Sequence, residues 1–412
     1  MAKREGKRLL LLCVLLIGVA MLAMSGVQPV LAAGDPDFDP PLAPLGPVPV
    51  PLDNPITPEK VELGKLLFFD PKITGDASLS CGSCHNPQQG WGFADSISRG
   101  YPGTVHWRNS QTVVNTGYYG KLFWQGNVNS LEAQAQAANT GGVAGNGKDD
   151  VMEERLRQTP EYRQMFQKVF GGSAPQLDNA WKAIAAFERA MLSQTNTPLD
   201  LYLKGEKDAL SSKAIKGLEL FNGKANCIEC HNGSLLSDEK YYNLGVPRAA
   251  EWLEVGLNQI TFRFQQYSKG GVFEEMYRSF KDDAGLYYNT NLKEDMGKFR
   301  TPSLRYIKYT APYMHNGTFF TLKEVIDFYD QGGGQNEFTD GTHGASTKTT
   351  ILKPLNLTGE EKEALVAFLE ELSGEEITIG GVAVPDYAPF PDVETLTQQE
   401  AKRIGLEDFL AH

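Results

Sequence analysis

Four of the five cysteines stand in two pairs of the same spacing, Cys81-Gly82-Ser83-Cys84-His85 and Cys227-Ile228-Glu229-Cys230-His231. Two thiols three positions apart, followed at once by an imidazole, form the pattern that attaches a c-type haem. Each thiol adds across one vinyl group, and the histidine then lies under the ring with a nitrogen facing the iron. Two other chemistries use cysteines at this spacing. A zinc site of four cysteines would leave both histidines without a role and would need the two pairs to meet across the chain. A disulfide within each pair suits an exported chain but also ignores the histidines. The repetition favours two covalently attached haems, with His85 and His231 as iron ligands. Whether such a centre passes electrons or does chemistry depends on the opposite face of the iron. An occupied sixth position favours electron transfer, and an open one admits peroxide or oxygen.

The elements that position these motifs also repeat. Gly64-Lys65-Leu66-Leu67-Phe68 precedes the first motif and Gly217-Leu218-Glu219-Leu220-Phe221 the second, so each unit reads as helix, short loop, then haem motif. His85 and His231 are 146 residues apart, a period that means two domains and not a solenoid. Thr57-Pro58-Glu59 starts a helix with a cap, a proline in its first turn and an acidic residue. Asp150 to Phe170 and Leu177 to Leu192 read as amphipathic helices, the second with Trp181, Ile184, Ala185 and Met191 on one face. Thr358-Gly359-Glu360-Glu361 is a capping box that opens a last helix, with Gly374 beyond its end. Strand-like alternation is scarce. The expected fold is all-α, two cytochrome c-like haem domains related by an internal repeat. The expected boundaries are a proline-rich arm over 34–55, extended and not packed core, haem domains over 56–205 and 206–376, and a tail over 377–412. Composition does not decide whether that tail wraps back onto the rest.

Residues 1–33 read as a secretory signal: Lys3, Arg4, Lys7 and Arg8, an apolar run from Leu9 to about Met24, then small residues at Ala32 and Ala33. Cys13 leaves with it. The expectation is a periplasmic protein, or a membrane-anchored one if the segment stays uncleaved. The formal charge is −12, and because four basic residues and Glu5 fall in the signal, the remaining chain carries −15. That charge argues against nucleic acid as a partner.

Beyond the haem motifs, the segments Trp107-Arg108-Asn109-Ser110-Gln111-Thr112-Val113-Val114-Asn115, Phe123-Trp124-Gln125-Gly126, Ser130-Leu131-Glu132-Ala133-Gln134-Ala135, Phe299-Arg300-Thr301-Pro302-Ser303-Leu304-Arg305 and Thr310-Ala311-Pro312-Tyr313-Met314-His315-Asn316-Gly317 resemble the bacterial dihaem cytochrome c peroxidases and their relatives of the MauG type. The resemblance runs from about Pro55 to Gly374. It implies that the N-terminal haem reacts with peroxide and the C-terminal haem relays electrons. It implies that Trp124 lies between the haems, that Gln134 belongs to the distal pocket, and that Asn109 with the carbonyls of Thr310 and Pro312 forms a calcium site at the domain interface.

Three departures qualify it. Where relatives that need reductive activation carry a capping histidine, this chain has Tyr101, in Ser98-Arg99-Gly100-Tyr101-Pro102-Gly103, with His106 five residues on. No glutamate follows Gln134 at the place of the family's distal acid–base, which leaves Asp149, Asp150 or Glu153 as substitutes. Fourteen residues after His315, where the sixth ligand of the second haem is expected, stands Tyr329, with Met314 and Met296 as alternatives. The expected function is peroxide reduction with electrons from a small periplasmic cytochrome c or cupredoxin. The alternatives are a MauG-like enzyme that uses peroxide to oxidise side chains of a partner protein, and a pure electron carrier. A homodimer is compatible with the sequence.

Overall fold

Thr57 accepts a hydrogen bond from the Lys60 amide and so caps the first helix, α1 (Pro58–Phe69). Eight further helices of six residues or more lie among the described residues: α2 (Leu131–Thr140), α3 (Asp149–Arg157), α4 (Pro160–Phe170), α5 (Leu177–Met191), α6 (Pro198–Leu203), α7 (Ser212–Asn222), α8 (Leu322–Asp330) and α9 (Gly359–Glu370). These are read from a computed structural model that describes residues 41–101, 104–172, 174–254, 267, 283–335 and 346–387. The expected signal segment and the end of the tail lie outside the described residues. Strand structure among the described residues is confined to two antiparallel ladders, Arg99–Gly100 with Thr104–Val105 and Tyr241–Tyr242 with Phe299–Arg300. The fold is all-α, as the scarcity of alternation predicts.

Two apolar cores form, one around each haem motif. The first gathers Leu63, Leu67 and Phe68 of α1, Trp181, Ile184 and Phe187 of α5, and Trp91, with Cys81 packed against it. The second gathers Phe221 of α7, Leu365, Phe368 and Leu369 of α9, and Leu236, with Cys227 packed against it. The repeat seen in the sequence extends to the helix crossings. On α1, Gly64 lies so close to the Ala183 carbonyl of α5 that any Cβ would clash, and Gly217 of α7 meets the Ala364 carbonyl of α9 in the same way. Four residues after each glycine an aromatic pair closes the crossing: Phe68 with Phe187 at 5.4 Å and Phe221 with Phe368 at 5.2 Å. Each helix pair can approach this closely only because glycine removes the side chain at the contact.

Two expectations change, and the open question of the tail is answered. The single helix read over Asp150 to Phe170 is two, because Pro160 lacks an N–H and starts α4 afresh after Thr159. The proline-rich arm is extended but not free of the core. Leu45 is buried, and its amide donates to Asp200 at 2.9 Å. An arm without helix or sheet partners needs such side-chain acceptors. The tail does wrap back. The Ile377 carbonyl accepts from Trp91 Nε1 at 2.7 Å, its amide donates to Tyr306, and Lys72 donates to the Pro385 carbonyl. Ile377, Ile379 and Val382 thereby pack on the first core.

Candidate functional site

A cavity of about 650 Å³ opens beside the second core. Cys227, Cys230 and His231 line it from one side and Tyr329, from α8, from another. Trp124, Asn109, Thr310 and Pro312 line it as well. Residues scattered over more than two hundred positions thus converge. The Leu236 carbonyl lies 3.1 Å from His231 Nδ1, which fixes Nδ1 as the protonated nitrogen and leaves Nε2 as the free one. Burial pushes this imidazole below its ordinary pKa, toward the neutral form that binds iron. Tyr329 is half-buried where it meets the cavity, and its phenol hydrogen-bonds to none of the described residues. Burial, with Cys227 and Cys230 nearby, pushes that phenol well up. An unpartnered phenol and an oriented imidazole on one cavity fit a haem with two protein ligands. Met314 also lines the cavity, whereas Met296 is buried outside it.

Around the first core Cys81, Cys84 and His85 lie on a single helical turn, Cys81–Cys84, and the residue after it. Burial pushes His85 down to about 4. The Trp91 and Gln111 backbones lie near enough to oppose that shift, but no group meets hydrogen-bond geometry with Nδ1. All four described cysteines are free thiols, and the two pairs sit on different cores. Among the described residues no three His, Cys, Asp or Glu side chains converge as a metal cluster would require.

Trp107, Trp124, Phe299 and His315 line the same cavity. His106 stacks on Trp107 at 3.8 Å, and Phe299 stacks on His315 at 3.7 Å. Trp124 meets His315 edge-on at 6.3 Å and donates from Nε1 to the Asn109 carbonyl at 2.9 Å. Asn109 is further held by its Nδ2, which donates to the Phe93 and Asp95 carbonyls, leaving Oδ1 as its free acceptor. Arg108 lies over both Trp107 and Phe299 and pairs with Asp283 at 2.6 Å. Burial raises Asp283, but the guanidinium holds it below the usual carboxylate range. His106, half-buried and beside Arg108, is pushed down to about 3 by desolvation and by the guanidinium. Its ring lies flat on Trp107.

On α2, Gln134 is half-buried, and Asn139 of the same helix comes within 4.0 Å of Cys81 Sγ. The three acidic residues considered as distal substitutes lie on or next to the first turn of α3. Asp149 and Asp150 are exposed in the first turn of α3, while Glu153 pairs with Arg157 at 2.7 Å and accepts from the Leu177 amide.

One carboxyl near the first motif was not singled out from the sequence. Glu188 is buried on α5, close enough to Cys81 to raise its thiol. Thr116 Oγ1 lies 2.8 Å from the Val113 carbonyl and 3.2 Å from Glu188 Oε2. The Thr116 hydroxyl is shared between these two acceptors, so Glu188 accepts from it. Burial pushes it up to about 8, against the opposing pull of Thr116 and Arg189. The sequence signal was a charge seven residues after Trp181, on the apolar face.

A raised carboxyl carries a sign for stability. Its contribution is whole below the ordinary value of 4.5 and lost as pH rises through about 8. Unfolding at pH 5 to 8 should therefore show wild type losing stability relative to Glu188→Gln by on the order of 1 kcal/mol per pH unit. Parallel curves would mean that Glu188 is ionised in the fold.

Residues 58–208 match the family model of the di-haem cytochrome c peroxidases. The chain is 51% identical over 374 residues to cytochrome-c peroxidase IdrP1 of Pseudomonas sp. (strain SCT), covering 90% of this chain and 96% of that one. It is 32% identical over 335 residues to the methylamine utilization protein MauG of Methylorubrum extorquens, covering 81% and 83%. Among solved structures it is similar to a MauG-like protein associated with microbial copper homeostasis, with 29% identity, a TM-score of 0.66, and coverage of 84% of this chain and 97% of that one. With half its residues shared along nearly the whole of a relative, the chain belongs to the dihaem cytochrome c peroxidase family and is an oxidoreductase with two haem cofactors.

Proposed function

We propose that this enzyme reduces hydrogen peroxide at the His85 site, drawing electrons past Trp124 from the His231 site, and that a small donor protein, a cytochrome c or a cupredoxin, supplies them. The observation that carries this reading is the shared cavity, which brings His231, both its cysteines, Tyr329 and Trp124 together. Bound haem supplies redox-active iron; the chain does the rest. Cys81, Cys84, Cys227 and Cys230 would fix the two rings through thioethers, and His85 and His231 would ligate the irons. Tyr329 closes the second site, and Gln134 offers an amide at the first. Asn109 Oδ1, with the Thr310 and Pro312 carbonyls, would supply oxygen ligands to a calcium ion. Residues 1–33 direct the protein to the periplasm.

A second reading, MauG-like oxidation of a partner protein's side chains, is favoured by one specific arrangement. Tyr329 faces the second site, while Asp149 and Asp150 are exposed to solvent and Glu153 is paired with Arg157. Peroxide cleavage needs a proton moved between its oxygens. Without a distal carboxylate, turnover with generic donors should be about 10² to 10⁴ slower than in glutamate-bearing relatives.

Stopped-flow mixing of oxidised enzyme with peroxide tests both readings. The reaction should proceed without prior reduction, because Tyr101 stands at the capping position and His106 is held on Trp107. Trp124→Phe should slow the sharing of oxidising equivalents between the sites. An enzyme inert until half-reduced would mean that His106 or Tyr101 caps the first iron, and would favour the activation-dependent peroxidase.

A further inference from the structure

Four tyrosines line the cavity of the second site: Tyr119, Tyr242, Tyr313 and Tyr329. They differ in what can take a proton from the phenol. Tyr313 donates to the Ile307 carbonyl, which is no base. Tyr329 donates to none of the described residues, and the Arg300 guanidinium lies 4.9 Å over the Tyr119 ring, opposing any loss of an electron there. Tyr242 alone of the four donates to a carboxylate, Asp238 Oδ2, at 2.7 Å. Asp238 is held in place by the Lys240 amide, which donates to its other oxygen at 2.9 Å. The Tyr242 phenol also lies against Cys230. Its side chain is half-buried, so it spans from the haem-attachment cysteine to solvent.

A phenol that loses an electron while keeping its proton becomes a strong acid, so oxidation is easy only where a base stands ready. We propose that Tyr242, with Asp238 as its proton acceptor, is a one-electron relay between the second haem site and an external donor. This rests on the peroxide reading above. The step balances. Tyr242–OH gives one electron inward and its proton to the Asp238 carboxylate, leaving a neutral phenoxyl and a carboxylic acid. A one-electron reductant outside then restores the phenoxyl, and Asp238 returns the proton. Two such cycles supply the two electrons that, with two protons from solvent, convert one hydrogen peroxide into two waters.

The test is freeze-quench EPR of the haem-loaded enzyme mixed with peroxide in the absence of donor. A tyrosyl signal should appear in wild type and fall to background in Tyr242→Phe, with haem content and haem absorption unchanged. In Asp238→Asn the ring remains but its base is gone, so the signal should form several-fold more slowly and with a larger slowing in D₂O. Mass spectrometry after repeated peroxide additions should find oxidation at Tyr242 in wild type. A normal change in haem absorption with the radical intact in Tyr242→Phe would overturn the relay and leave the peroxide reading standing. No change in haem absorption on adding peroxide would overturn both.

Discussion

Replacing Arg305 with leucine should destabilise the protein by about 3 to 5 kcal/mol, the cost of leaving a buried charge without its partner. Arg305 and Asp200 are both fully buried, and the guanidinium grips the carboxylate with two bonds of 2.9 Å. The same carboxylate accepts from the Leu45 amide and from both the amide and hydroxyl of Thr197. Arg305 in turn donates to the Ser234 carbonyl, three residues after His231. One ion pair therefore ties the arm, the start of α6 and the loop behind the second haem motif. Urea unfolding of Arg305→Leu measures the loss, and adding Asp200→Asn should recover part of it by removing the stranded charge. A loss below about 1 kcal/mol would mean that water reaches the pair.

The second large effect is electronic. Tyr329→Met should raise the potential of the second haem by on the order of a few hundred millivolts, since axial ligand identity spans about 0.8 V. It should also create the red methionine–iron absorption band, which wild type should lack. Redox titration with absorption spectroscopy reads both. A wild type that already shows the band would identify Met314 as the ligand, because it lines the same cavity.

What the sequence discloses, and what it hides, follows from range. The haem motifs, the Thr57 and Thr358 caps and the glycine–aromatic repeat are local, and each acts within about one helical turn of its own position. The break at Pro160 is equally local, yet the apolar period on both sides masks it. Leu45 lies 155 residues from the Asp200 that buries its amide, and no spacing rule reaches that far. Glu188 is hidden differently, by standing among apolar residues on a helix whose face reads as core. The internal repeat contains the clue: Ala183, Phe187 and Glu188 occupy the places of Ala364, Phe368 and Leu369. Where the second core carries leucine, the first carries an acid. That difference falls in the unit proposed to react with peroxide.

The strap formed by Ile377 to Tyr387 has a consequence for biogenesis. Trp91 and Lys72 belong to the first half of the chain, but the carbonyls that satisfy them come from residues near its end. As synthesis runs from the N-terminus, the first core emerges with the Trp91 indole N–H open and its apolar flank uncovered, while the second closes as soon as α9 is made. Of the two haem-binding units, the one translated first is the last to be sealed.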